Sequence, residues 1–266
     1  MSLSVEEVWQ DVQSIRERVP LVHNITNYVA MEFTANALLA LGASPVMAHA
    51  MEEVREIARI SQALVINIGT LSAPWVQSMR EAMKEAAKQR VPIVLDPVGC
   101  GASQFRTQTA RELLATAAPT IIRGNASEII ALGSDRHETK GVDSLASSEQ
   151  ASEIAGELSA RYGCAVSISG AVDLIVQGAQ VVRVRNGTPL MTRVTAMGCT
   201  ASALTGAFAA CNPSPVHAAA HAMVIMGIAG ELGARRAQGV GSLPMHFLDA
   251  LHGLSKADVQ ALMQAG

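Results

Sequence analysis

The chain has 266 residues, of which 49% are hydrophobic, 16% charged and 3% aromatic, with a formal net charge of −3. So few charges at a mean hydropathy of +0.26 exclude a disordered chain. The balance leaves no basic field for nucleic acid or an anionic membrane, and the aromatic shortage removes a base-stacking platform.

A Ser4-x-x-Glu7 capping box opens an amphipathic helix that runs to about Arg18, and a second helix spans about Tyr28 to Leu41 and stops at Gly42. Short apolar runs rich in branched residues follow at about 44–48, 63–68, 91–95, 119–122 and 164–168. Helical patterns lie between them at 51–62, 72–90, 107–117, 125–132 and 147–162. Continuous apolar strands separated by helices predict a mostly parallel sheet covered on both faces. Runs at 172–177 and 179–184 read as an antiparallel hairpin turning at Gly178. Helices are expected at about 198–211, 214–235 and 245–264; the first two are apolar around much of their circumference, which marks buried or interface helices. No repeat or Pro/Gly-rich linker divides the chain, so residues 1–266 read as one α/β domain.

Cys100, Cys164, Cys199 and Cys211 form no CxxC and no zinc-type spacing. The acidic N-terminus lacks the basic-then-apolar order of a signal peptide. Free thiols in a reducing cytoplasm are the expectation. Runs such as Ala201 to Ala210 are too short and too rich in Ala and Gly to span a bilayer, so no membrane is expected.

The polar residues collect after the strands. The runs end in Asn67-Ile68-Gly69-Thr70, in Asp96-Pro97-Val98-Gly99, in Arg123-Gly124-Asn125-Ala126-Ser127-Glu128 and in Ser169-Gly170. Parallel strands would deliver all of these groups to one sheet edge, where ligands of open α/β sheets bind. Carboxylates and an amide oxygen suit Mg²⁺, and an arginine fork suits phosphate. Taken alone, Asp96 and Asn125 each read first as caps of the helices that follow; the gathering at four strand ends reverses that preference towards chemistry. Neither GxxxxGKS/T nor GxGxxG is present, which counts against Walker-type NTPases and dinucleotide-dependent dehydrogenases. Thr195-Ala196-Met197-Gly198-Cys199-Thr200 precedes an apolar helix, where backbone N–H groups can face a transferring phosphoryl group. Cys199 sits in the first turn, where the helix dipole is expected to lower its thiol pKa and make it a usable base. His217 and His221 have metal-pair spacing without the glutamate of HExxH and read as core or interface residues; Met223, Met226 and Met245 read as packing.

These segments resemble the hydroxyethylthiazole kinases, a family of the ribokinase-like superfamily. The resemblance runs from Pro20-Leu21-Val22-His23-Asn24-Ile25-Thr26-Asn27 through Leu41-Gly42-Ala43-Ser44-Pro45-Val46-Met47, Asn67-Ile68-Gly69-Thr70-Leu71 and Leu95-Asp96-Pro97-Val98-Gly99 to Arg123-Gly124-Asn125-Ala126-Ser127-Glu128 and Gly198-Cys199. It implies a ribokinase-like three-layer sandwich and ATP- and Mg²⁺-dependent phosphorylation of 4-methyl-5-(2-hydroxyethyl)thiazole in thiamine biosynthesis or salvage. It also implies a homotrimer with the thiazole pocket at subunit contacts. By that resemblance Asn27, Met47 and Ala196 line the thiazole pocket, and Arg123, Ser169 and Gly198 meet ATP. Asp96 and Glu128, with Asn125, organise Mg²⁺ and its waters, and Cys199 holds the catalytic-base position. The family pattern carries glycine where this chain has Ala196, so a backbone angle that favours glycine would be lost there. Other readings stay open: a superfamily kinase acting on a pyrimidine or pyridoxal-type alcohol, or an inactive ligand-binding module.

Overall fold

The computed structural model describes residues 3–134 and 144–266. Its strands are β1 (Leu21–Ile25), β2 (Ser44–Val46), β3 (Ala63–Asn67), β4 (Ile93–Asp96), β5 (Ile121–Asn125), β6 (Ala165–Ser169), β7 (Asp173–Gln177) and β8 (Gln180–Val184). They form one eight-stranded sheet in the order β2-β1-β3-β4-β5-β6-β7-β8. All pairings from β2 to β6 are parallel, and β7 and β8 continue the sheet antiparallel. The hairpin turns at Gly178, whose φ of +57° suits glycine.

The helices are α1 (Val5–Arg18), α2 (Met31–Leu41), α3 (Val54–Ile60), α4 (Ala73–Gln89), α5 (Gln104–Thr116), α6 (Ala126–Gly133), α7 (Ser144–Tyr162), α8 (Met197–Cys211), α9 (Pro215–Arg236), α10 (Leu243–Gly253) and α11 (Lys256–Leu262). Strand alternation sorts the apolar residues into two cores. Along β3, Ala63 and Val65 join the core under α1, α2 and α8–α11, while Leu64 and Ile66 join the core under α3–α7. Helices on both faces of a mostly parallel sheet make the expected ribokinase-like three-layer sandwich.

Two features differ from the sequence expectation. β1 was not among the expected strands, because His23 and Asn24 interrupt its apolar run; both are nonetheless buried. His23 Nε2 lies 2.7 Å from the Ala48 carbonyl, and Asn24 Nδ2 donates to the Val22 carbonyl at 2.9 Å. The expected C-terminal helix at 245–264 is two helices, divided where Ser255 and Asp258 form a capping box that starts α11. The helices α8 and α9 are buried within the chain itself. α9 is long and apolar enough to cross a membrane, yet 83% of its most apolar stretch is covered by the protein. α8 lies directly on the sheet because its small residues permit it: a Cβ on Gly206 would stand 2.6 Å from a Val65 methyl. That close approach carries the first turn of α8 to the carboxyl ends of β1, β3 and β4.

Candidate active site

The strand order reverses between β1 and β3, so their carboxyl ends frame the switch point at which open α/β sheets bind ligands. Asn27, two residues beyond β1, meets Asn67 at the end of β3 there. Asn27 Nδ2 donates to Asn67 Oδ1 at 2.8 Å and to Cys199 Sγ at 3.2 Å. Asn67 Nδ2 in turn donates to Asp96 Oδ2 at 2.7 Å, which also accepts the Ser202 hydroxyl at 2.6 Å. Gly69 makes room for this meeting, since a Cβ there would fall 2.6 Å from Asn27 Nδ2. Arg106 holds the loops in place by donating to the carbonyls of Ile68, Gly69 and Val98.

Asp96 is 1% exposed, and burial pushes its carboxyl up to about 7 against the opposing pull of Arg123. The negative charge of Glu128 adds to the upward shift. Cys199 departs from the expectation at the helix start: burial, with the Asp96 charge second, pushes its thiol above the ordinary value. Loss of water outweighs the dipole at this position. Contrary to the expected loss of a glycine-favouring angle, Ala196 keeps the left-handed geometry, with φ +69° and ψ −11° at the start of α8, and it offers no side-chain cap.

Asn125 and Glu128 form a reciprocal capping box at the start of α6, so the capping role considered from sequence is real. Glu128 does more than cap. One of its oxygens accepts the Asn125 N–H at 2.8 Å, and the other accepts the Gly99 N–H from the β4 loop at 2.8 Å. Asp96, Glu128 and Asn125 therefore present oxygen donors around the β4 and β5 ends. Among the described residues no group of three or more His, Cys, Asp or Glu side chains could hold a metal by themselves. A hard cation that retains several waters fits such a donor set.

Beyond Arg123 a cavity of about 620 Å³ opens between β5–β7, the 185–194 segment and α8–α9. Arg123, Ser169 and Gly198 all line it, together with Asn125. Arg123 is 7% exposed and its guanidinium donates to the Gly198 carbonyl at 3.0 Å, while its Nε is buried with no partner among the described residues. Ser169 Oγ leans on the Gly124 carbonyl at 3.4 Å. Met223 and Met226 are buried, as their packing reading requires, and they also wall this cavity; Met245 is 56% exposed and stands apart. His221 is a core residue with Nδ1 2.6 Å from Asp11 Oδ2, and His217 stacks on it. Met47 is half-buried one residue beyond β2, the edge strand beside β1.

The structure thus brings Asn27, Asp96, Cys199 and Gly198 into one cluster with Arg123, and places Ser169 and Asn125 around the adjoining cavity. Four contributors went unassigned in the sequence: Asn67, Ser202, Arg106 and Asp173. Asn67 stood in a strand-end motif, and Ser202 lies three residues after Cys199 on one helix face. Arg106 carried no local signal. Asp173 opens β7, accepts the Gly170 N–H at 2.9 Å, and has its carboxyl pushed up by burial at the cavity wall.

A model of the hydroxyethylthiazole kinase family matches residues 12–257. The chain is 57% identical to a hydroxyethylthiazole kinase of Syntrophus aciditrophicus over 97% of this chain and 96% of that one. It is 53% identical to the hydroxyethylthiazole kinase of Oleidesulfovibrio alaskensis, covering 96% of each. The solved structure of a hydroxyethylthiazole kinase protein from Pyrococcus horikoshii superposes with a TM-score of 0.91 at 40% identity, covering 98% of both chains. A ribokinase-like superfamily protein from Enterococcus faecalis, at 15% identity and a TM-score of 0.69, shares the fold. This chain belongs to the hydroxyethylthiazole kinase family.

Proposed function

We propose that the protein transfers the γ-phosphoryl group of ATP to the primary hydroxyl of 4-methyl-5-(2-hydroxyethyl)thiazole, in thiamine biosynthesis or salvage. The observation that carries this reading is the contact of Asn27 with Cys199 beside buried Asp96, in a chain 57% identical to a hydroxyethylthiazole kinase. Asn27, Met47 and Ala196 line the thiazole pocket. Cys199 Sγ orients the hydroxyl and accepts its proton late, since a loose phosphoryl-transfer transition state does not require early deprotonation. Arg123, Ser169 and Gly198 hold the ATP phosphates, and the Arg123 Nε, which has no partner among the described residues, is a donor for an anion.

Asp96 and Glu128, with Asn125 through water, would hold Mg²⁺. The cation would supply charge neutralisation for the phosphate oxygens when bound. The chain's own part is to keep two carboxylates close enough that the charge of one raises the pKa of the other, an excess of negative charge that a cation relieves.

The assembly is a homotrimer of the cytoplasm in this reading. Exposed Tyr28 and Val29 follow Asn27 directly, and exposed Leu39 lies on α2, which packs against edge strand β2. A single-chain surface with such apolar groups beside the thiazole residues supports a subunit contact there.

ADP release in a coupled assay tests the reaction, with the thiazole, hydroxymethylpyrimidine and pyridoxal alcohols compared with and without Mg²⁺. Fastest, Mg²⁺-dependent release with the thiazole alcohol is expected. A higher kcat/KM for either other alcohol overturns the substrate, and ligand binding without ADP formation overturns the kinase reading. Sedimentation velocity tests the trimer: a monomer fully active at high dilution removes the shared-pocket arrangement.

A further inference from the structure

The side chains of Cys199, Asn27, Asn67, Asp96 and Ser202 form one hydrogen-bonded chain that starts and ends on the same face of α8. Its direction is set by groups that have no choice. The Ala30 N–H can only donate, and it donates to Asn27 Oδ1 at 3.0 Å, so Nδ2 of that carboxamide must point the other way. The Gly69 N–H likewise donates to Asn67 Oδ1 at 2.9 Å, which leaves Asn67 Nδ2 facing the acceptor Asp96. Asn67 is 1% exposed and Asn27 is 4% exposed, so water has little room to replace either partner.

Asn67 is thus the link through which the β4 carboxylate and the β1 loop come to hold one fixed geometry. We infer that Asn67 is a positioning residue: it fixes the Asn27 carboxamide so that Nδ2 donates to Cys199 Sγ, and it ties that contact to Asp96. It touches neither reactant itself. The inference rests on the proposed reaction, because Asn27 and Cys199 are there the thiazole-binding and proton-accepting groups. Without Asn67, Asn27 keeps its Ala30 bond but loses the acceptor that aligns its other end. Asp96 loses one of two donors to Oδ2 and keeps Ser202.

The experiment measures kcat and both KM values for the parent, Asn67→Ala, Asn67→Asp, Asn27→Ala and the Asn27→Ala/Asn67→Ala double variant, with cooperative melting recorded for each. Asn67→Ala is expected to raise the thiazole KM and lower kcat, together costing about ten- to a hundredfold in kcat/KM, the scale of a broken buried hydrogen-bond link. The ATP KM should stay within about threefold, since no member of the ATP cavity touches Asn67. In the Asn27→Ala background, removing Asn67 should leave the thiazole KM within about twofold. Asn67→Asp is nearly isosteric and keeps the oxygen that accepts from Asn27 and Gly69. It should preserve the thiazole KM while lowering kcat, and it gives the answer if the alanine variant does not melt cooperatively.

Parent-like kinetics in Asn67→Asp and Asn67→Ala overturn the positioning role, as does a thiazole KM effect that adds fully to that of Asn27→Ala. An equal rise in both KM values also overturns it, since that is loosened packing. A parent protein that releases no ADP with the thiazole alcohol overturns the proposed function, and this inference with it. Parent activity with unaffected Asn67 variants overturns the inference alone.

Discussion

The two halves of the sheet's carboxyl edge are built on opposite principles. Around β1, β3 and β4 the polar side chains are buried and bonded to one another, from Cys199 through Asn27 and Asn67 to Asp96 and Ser202. Around β5–β7 the edge opens into a cavity of about 620 Å³, where Arg123 keeps a buried N–H without a partner among the described residues and Met223 and Met226 supply an apolar wall. The closed half spends burial to fix atoms in place, at the cost of raising the pKa values of Asp96 and Cys199. The open half leaves the Arg123 Nε donor unpaired among the described residues, for a larger ligand to complete. A small alcohol needs orientation within tenths of an ångström for transfer, whereas a nucleotide brings enough contact of its own.

The sharpest way to break this contrast is Cys199→Ala. It should lose about 10²–10⁴-fold in turnover, the usual value of a positioned base, while ATP affinity by calorimetry remains near the parent's. Because burial holds the Cys199 thiol up, parent turnover should rise with pH through and beyond the ordinary thiol range near ~8.5. Cys199→Asp should move that rising limb to lower pH, since a carboxylate loses its proton earlier. Parent-like turnover of the alanine variant would make the cysteine a packing residue.

Asp96→Asn sets function against stability in the closed half. Turnover should fall about 10²–10³-fold, on the scale of losing one preorganised electrostatic group. Stability should move the other way. Asp96 has a folded pKa of about 7, above its unfolded value of ~3.9. The folded chain therefore keeps a proton that the unfolded chain releases, and stability drains away as pH rises from about 4 to about 7. The neutral amide removes that drain, so in metal-free buffer the variant should gain on the order of 4 kcal/mol relative to the parent between pH 4 and pH 8. Urea melts at both pH values read it, and an unchanged difference would mean that Asp96 is ionised without penalty.

In the open half, Arg123→Lys tests whether the fork matters or only the charge. Lysine keeps the charge but loses the planar donors that serve both the Gly198 carbonyl and an incoming anion. ATP affinity should weaken about tenfold, with the thiazole KM within about threefold. A matching loss in thiazole KM would join the two halves into one site and erase the distinction.

The smallest effect is expected where the halves meet. Ala196→Gly removes the cost of a left-handed non-glycine residue, roughly 1–2 kcal/mol, against the roughly 0.4–1 kcal/mol by which glycine loosens the unfolded chain. A net gain of about 0.5 kcal/mol should appear in urea denaturation. A loss would show that the Ala196 methyl contributes packing that outweighs its backbone strain.

The fold was largely legible from sequence because its signals are local. Apolar runs of strand length alternate with helical patterns, the Ser4 capping box is read from residues three apart, and strand ends collect the polar groups. β1 escaped because His23 and Asn24 interrupt its apolar run; His23 is met by the distant Ala48 carbonyl, while Asn24 bonds locally to Val22 within the buried strand. Most of the candidate site was legible in the same way, since Asp96, Asn125 and Ser169 close strands, Arg123 lies two residues before the end of one, and Glu128 stands in the first turn of a helix. The sequence could also place Cys199 at a helix start. The direction of its thiol shift was decided by burial and by Asp96, a residue more than a hundred positions away in the chain. The link through Asn67, the loop clamp of Arg106 and the cavity wall of Met223 and Met226 arise the same way. Each depends on which strands are neighbours and how closely α8 approaches the sheet, and no local pattern encodes either, because Gly206 and Val65 meet only after the chain has folded.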